Sequence, residues 1–202
     1  MILYLIRHGE TASNRDGLGL GRGDVPLTDA GLQQAAALGA RLAGEPLDRV
    51  LVSPLRRARR TAALIVGERG IPVEVRDELI ELDVGETEGL SFPVIRERYG
   101  DFLAHWQDDD SATVRMPGGE SLDDVARRIA PLVDEIPAWP DAAVAIVSHN
   151  FVLRLMLCRL LGVPAQRFRA TPLGLASLTT VILERGRVSI RALNDRCHLE
   201  TA

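Results

Sequence analysis

The sequence predicts an α/β protein, a three-layer α/β/α sandwich around a mostly parallel sheet, on three observations. Strand-like and helix-like runs alternate along most of the chain, the pattern of a sheet covered on both faces. Three strand-like runs end at residues able to carry chemistry: His8, Ser53 and His149. In open α/β sheets, sites form beyond the C-terminal strand ends. The tail then offers two further strand-like runs, 176–183 and 188–193, joined at Arg185-Gly186 like a hairpin.

Taken in order, residues 2–7 read as a buried strand. The loop Asp24-Val-Pro-Leu-Thr-Asp-Ala-Gly leads into a helix capped by Thr28 and ended by Gly44, with Ala35, Leu38 and Leu42 among its apolar positions. A second strand covers 48–52. Ser53-Pro54 then opens a helix to about Glu68, with Ser53 as cap and Pro54 in the first turn. A short strand follows at 73–75. The span 77–120 is the least periodic. It holds Gly85, Gly89, Gly100, an Asp run at 108–110 and Pro117-Gly-Gly, and reads as a lid or small subdomain with one helix near 91–105. Ser121 caps a helix to Ile136, with Asp124 three residues on. A strand at 142–147 and a helix at 151–161, stopped by Gly162-Val-Pro, complete the pattern. One domain over 1–202 is the expected organisation.

Composition narrows the function classes. The chain is 46% apolar and 26% charged, ordinary values for a globular protein. Its net charge of -4 argues against nucleic acid as the main partner. All 24 basic residues are arginine, which excludes a lysine nucleophile or Schiff base. No apolar run is long enough to span a membrane. The N-terminal Met-Ile-Leu-Tyr-Leu-Ile is too short for a signal peptide and runs straight into the first motif. Cys158 and Cys197 are too few for a disulfide framework, so a cytoplasmic location is expected. A homodimer is the base-rate expectation, with 176–183 as an edge strand that needs cover.

The chemistry concentrates at the strand ends. Leu5-Ile-Arg-His-Gly-Glu places an Arg-His pair where a strand stops. His8 is the candidate nucleophile of a phosphoryl transfer, and Arg7 a planar fork for phosphate oxygens. Glycine at position 9 allows close backbone approach. In Ser53-Pro-Leu-Arg-Arg-Ala-Arg-Arg-Thr-Ala, four arginines fall within five positions at a helix start, against the dipole. A bound anion would resolve that mismatch, with Arg57 as its contact and Arg56 and Arg60 as solvated face. Val147-Ser-His-Asn brings up His149, with Arg154 bracing from the next helix. Within Glu78-Leu-Ile-Glu-Leu-Asp-Val-Gly-Glu-Thr-Glu most carboxylates should be solvated, while one would serve as proton donor to a leaving alcohol. No metal-ligand spacing is present, and Gly17–Gly23 lacks the Gly-Lys-Ser/Thr ending of an ATP loop.

Together these motifs resemble the histidine phosphatase superfamily, also called phosphoglycerate mutase-like. The resemblance runs through Leu5-Ile-Arg-His-Gly-Glu-Thr with Asn14, Asp24-Val-Pro-Leu-Thr-Asp-Ala-Gly, Ser53-Pro-Leu-Arg-Arg, Glu81 with Gly85, Pro117-Gly-Gly-Glu-Ser and Val147-Ser-His, in family order. It implies that His8 carries the phosphoryl group, that Arg7, Arg57 and His149 hold its oxygens, and that Glu81 is the acid and later the base. Asn14, Gly23, Arg154 and His198 are the implied substrate contacts. Asn150 departs from the glycine usual after this histidine. The implied activity is metal-independent and cofactor-free hydrolysis of a small phosphorylated metabolite. The alternatives are a phosphoglycerate mutase, whose members are usually longer, and a non-catalytic phospho-ligand binder. The tail Leu193-Asn-Asp-Arg-Cys-His-Leu is similar to that of the metal-independent phosphoserine phosphatases. Val84, where some members place a histidine or aromatic residue, weakens that assignment. Alpha-ribazole phosphate and sugar phosphates are the other expected substrates.

Overall fold

In a computed structural model describing residues 1–107 and 112–200, the strands are β1 (Ile2–Arg7), β2 (Arg49–Val52), β3 (Val73–Val75), β4 (Ala143–Ser148), β5 (Leu178–Glu184) and β6 (Arg187–Asp195). The helices are α1 (Ala12–Arg15), α2 (Asp29–Leu42), α3 (Arg56–Val66), α4 (Phe92–Arg98), α5 (Gly100–Gln107), α6 (Leu122–Glu135) and α7 (Asn150–Leu160). The sheet runs β3-β2-β4-β1-β5-β6, with only β5 opposed to the rest. The Asp run at 108–110 lies outside the described residues.

Period-two alternation along the central strands builds two cores. Leu3, Leu5, Leu51, Val144 and Ile146 face α6 and α7. Tyr4, Ile6, Val50, Val52, Ala145 and Val147 face α2 and α3. Strands buried on both faces read as continuous apolar runs, and that is why the strand pattern is so plain in the sequence. The layers form the expected α/β/α sandwich.

Four expectations need correction. Leu55, not Ser53, occupies the cap position of α3, and the helix starts at Arg56 and stops at Val66. The single helix expected near 91–105 is two, α4 and α5, broken at Tyr99. The run 176–183 is no edge, because β5 pairs with β1 on one side and β6 on the other. The C-terminal cap residue of α2 is Ala43 rather than Gly44. The caps at Thr28 and Ser121 are as expected, each accepting a backbone N–H three residues on, and Asp124 completes a capping box. Among the described residues, no helix is long and apolar enough to cross a membrane.

One close approach fixes the first strand end against α2. A Cβ on Gly31 would lie 2.1 Å from the Glu10 carbonyl oxygen, and one on Gly9 2.4 Å from the Gly31 oxygen. Alanine within a helix normally gains about 1 kcal/mol over glycine. Here the obstacle is backbone on both sides and cannot yield. Gly31→Ala is therefore expected to destabilise the fold by about 1–3 kcal/mol, as overpacking does. A urea midpoint equal to or above that of the native chain would refute this.

Candidate active site

Register brings the three strand ends level. β4 lies between β2 and β1, with Arg7 opposite Ser148 and Val52 opposite Val147. The His8 N–H donates to the Ser148 carbonyl at 3.1 Å, and the Ser53 N–H to the Val147 carbonyl at 3.1 Å. His8 and His149 thus meet with ring centroids 5.1 Å apart, both buried.

The tautomer of His8 follows from its neighbours. Nδ1 lies 2.7 Å from the Gly9 carbonyl oxygen, which can only accept, so Nδ1 carries the proton. Arg57 Nε donates to Nε2 at 3.2 Å, which requires a lone pair there. Burial first, then Arg57 and Arg7, hold the His8 pKa well below its ordinary value. The ring is neutral, with a lone pair at Nε2. His149 is also held well below its ordinary value, by burial and then by His8 and the arginines.

Arg57 is fully buried and, among the described residues, has no carboxylate hydrogen-bond partner. Its Nη1 and Nη2 donate to the carbonyls of Gly23 and Gly21, each at 2.7 Å. Arg7 Nη1 donates to the Leu173 carbonyl at 2.6 Å, and burial pulls its pKa down to about 10. Among the described residues, Arg7 Nε and His149 Nδ1 are buried polar atoms with no hydrogen-bond partner. His149 Nε2 is 2.6 Å from Ser53 Oγ. The residue expected to cap α3 is thus engaged with the second histidine.

The dipole mismatch at α3 has an internal answer as well. Asp24 Oδ1 accepts the Arg56 N–H at 2.7 Å, so a carboxylate of the chain caps the arginine-rich helix start. Arg56, Arg59 and Arg60 are exposed, while Arg57 alone of the four turns inward.

Glu81 is buried beside the two arginines. Its Oε1 accepts the Leu82 N–H at 2.9 Å and its Oε2 the Phe151 N–H at 3.3 Å. Those bonds and the guanidinium groups favour the ionised form, but burial outweighs them and pushes the pKa up. Its loop is held from α6 by Arg128, whose Nη1 donates to the Glu78 and Ile80 carbonyls at 2.6 and 2.8 Å. Glu120 joins this brace, accepting from Arg22 at 2.7 Å, Arg128 at 3.2 Å and the Asp83 N–H at 3.0 Å.

The remaining expected substrate contacts are engaged with the protein. Asn14 Oδ1 accepts from the Thr11 N–H and hydroxyl in a capping box over α1. The Gly23 carbonyl holds Arg57. Arg154 Nε donates to the Phe168 carbonyl at 2.9 Å, and its guanidinium lies over the Phe168 ring. His198 Nε2 is 2.9 Å from the Ala176 carbonyl, while the Ala176 N–H donates to the His8 carbonyl at 3.0 Å. Ala176 takes a left-handed φ of 51°, a strained setting for a side-chain-bearing residue, directly behind His8.

Sequence reasoning missed Glu88, which sits in the run expected to be solvated. Its Oε1 accepts the Gly21 and Gly23 N–H groups at 3.2 and 2.8 Å, shaping the loop whose carbonyls hold Arg57. Only a fold that brings residue 88 to residues 21 and 23 reveals it. Glu88→Ala is expected to lower kcat/KM by about tenfold, the cost of one charge-assisted contact pair. Glu88→Gln, which keeps an accepting oxygen, should restore most of it. Equal losses in both variants would contradict this reading. Among the described residues, no group of three or more His, Cys, Asp and Glu side chains could hold a metal ion.

Known phosphatases are similar to this chain over nearly its whole length. Phosphoserine phosphatase 1 of Hydrogenobacter thermophilus is 34% identical over 199 residues, covering 98% of this chain and 93% of that protein. The adenosylcobalamin/alpha-ribazole phosphatase of Salmonella typhimurium is 34% identical over 197 residues, covering 97% of each chain. The solved alpha-ribazole phosphatase of Shigella flexneri superimposes with a TM-score of 0.88 at 31% identity, again over 97% of each chain. Residues 3–196 match the family model for the histidine phosphatase superfamily, branch 1. The chain therefore belongs to the histidine phosphatase superfamily and is a phosphoric monoester hydrolase of that type.

Proposed function

We propose that this chain hydrolyses a small phosphomonoester in two steps through a phosphohistidine on His8, without a metal ion. In the first step the His8 Nε2 lone pair forms the N–P bond as the ester P–O bond breaks. Glu81 gives its proton to the departing oxygen. In the second step a water oxygen forms a new P–O bond, the N–P bond breaks, and Glu81 takes the water proton. His8 returns neutral and Glu81 protonated, so the cycle closes.

The observation that carries this reading is the pair of unpartnered buried groups flanking a neutral His8, Arg7 Nε and His149 Nδ1. A buried polar group without a partner costs free energy, and a site that keeps several such groups is built for a ligand that satisfies them. If the Ser53 hydroxyl proton is donated to His149 Nε2, the neutral ring carries its proton at Nδ1 and presents a donor. Charge balance points the same way. With Glu81 protonated, Arg7 and Arg57 bring two positive charges to a dianionic phosphomonoester. We further propose that the segment between β3 and α6 covers the site, and that Arg154 and His198 support it through the backbone of Phe168 and Ala176.

The test is phosphate release with EDTA present, over phosphoserine, alpha-ribazole phosphate, sugar phosphates and 3-phosphoglycerate. Hydrolysis insensitive to EDTA and absent in His8→Ala supports the proposal. Loss of activity on chelation, or isomerised phosphoglycerate without phosphate release, overturns it.

A further inference from the structure

A cavity of about 390 Å³ is lined by residues that neighbour the proposed site, Phe151 and Leu20 among them. That volume lies in the range of sites that enclose small organic ligands. Its walls are mainly apolar and rich in rings, including Leu20, Val84, Phe92, Phe102, Trp106 and Phe151. Trp106 packs edge-on to Phe151 at 6.1 Å between ring centroids and tilted to Phe102 at 5.6 Å, so the rings form one connected wall.

Two of these residues tie the cavity to the chemistry. Phe151 is the residue whose N–H bonds Glu81 Oε2. Leu20 precedes Gly21, whose carbonyl holds Arg57 and whose backbone packs against Val84. Glu81 donates its proton to the leaving oxygen in the mechanism above. Through the Phe151 backbone the cavity neighbours the group that would protonate the leaving alcohol, so it is the candidate place for that alcohol's carbon skeleton.

The lining offers that skeleton little polar recognition. Thr87 spends its hydroxyl on the Val84 carbonyl at 2.8 Å. Arg169, the one charged side chain among the described lining residues, donates to the Trp106 carbonyl and lies over the Phe168 ring. No carboxylate is among the described residues that line the cavity. An ammonium group there would lose its water and meet no carboxylate among the described lining residues, a cost that burial does not offset. An apolar or aromatic group gains from the same walls by leaving water and meeting rings at contact distance.

We propose that the substrates of this phosphatase are phosphomonoesters of alcohols carrying an apolar or aromatic group, and that the ring cage around Trp106 selects them. This rests on the hydrolytic reading of the site and names the substrate class for it.

The experiment compares kcat/KM for 2-phenylethyl phosphate, ethyl phosphate and phosphoserine. All are esters of alkyl alcohols, so none has the activated leaving group of an aryl ester. Burial of a phenyl group predicts a preference of roughly 10- to 100-fold for 2-phenylethyl over ethyl phosphate. Phosphoserine should rank no higher than ethyl phosphate. Trp106→Ala and Phe92→Ala should each shrink the phenylethyl-to-ethyl ratio, and Phe92, 47% exposed, can be cut back with little threat to folding. Phosphate release from all three esters with no preference for the phenylethyl ester, or with phosphoserine ahead, overturns the substrate class and leaves the hydrolytic mechanism standing. A ratio unmoved in both variants overturns the role of the cage. No release from any ester overturns the mechanism and this inference with it.

Discussion

His8→Ala is expected to lower kcat by on the order of 10⁶-fold, the scale on which removal of a nucleophile stops covalent catalysis. The side chain presents a lone pair at Nε2 beside Arg57, and its tautomer is fixed by the Gly9 carbonyl. His149 cannot stand in. Its Nε2 is engaged at Ser53, and its ring joins the sheet end one strand away. The variant should also lose the acid-labile, alkali-stable label that native protein acquires from ³²P-labelled substrate. The fold should survive. Removing the ring leaves the Arg57 Nε donor unpaired, at a cost of about 1–3 kcal/mol, against a typical total stability of about 5–15 kcal/mol. Residual turnover within tenfold of the native enzyme, in a preparation with a native unfolding transition, would remove His8 from the mechanism.

Glu81→Gln is the second large effect, expected to cost about 10²–10⁴ in kcat/KM on an alkyl ester, the usual contribution of a positioned acid. The same variant should lose far less in the first step with 4-nitrophenyl phosphate, whose leaving group departs without a proton. The second step still lacks its base, so a stoichiometric burst of nitrophenolate followed by slow release is expected. The pH profile separates the roles further. Burial raises the Glu81 pKa, and in the proposed first step the protonated form is the one that acts. On an alkyl ester kcat/KM should therefore fall as pH rises through that pKa, and the fall should vanish in Glu81→Gln. His8 contributes nothing opposing at neutral pH, because its depressed pKa keeps it deprotonated there. Equal losses for both esters, or an alkaline limb that persists in the variant, would assign the proton to another group.

The parts of this molecule that were legible in the sequence are those set by neighbours a few residues apart. Continuous apolar runs give β1, β2 and β4, because successive positions face one or the other of two cores. Ser121 and Asp124 announce the start of α6 because a capping box closes within one turn. His8, Arg57 and His149 stood out through local motifs, Glu81 only through the family resemblance, and the fold gathers them. Ser53 was misread for the same reason. A Ser-Pro pair before a run of arginines looks like a cap, but its partner is His149, 96 residues away. The edge assignment of 176–183 failed because nothing local shows that β6 folds back over β5.

The sequence by itself determined the α/β class, the strand ends at which the proposed chemistry lies, and the arginine-only, histidine-poor inventory from which a phosphate site has to be built. Tertiary structure alone decided which charges are buried and which atoms lack partners. It fixes the His8 tautomer through the Gly9 carbonyl and Arg57, turns Arg57 inward while its three neighbours face water, and sets Asp24 on the start of α3. It also assembles the ring-walled cavity from segments spread between residues 19 and 169. Burial and pairing depend on contacts between distant segments, and a pKa or an orphaned donor exists only once those contacts have formed.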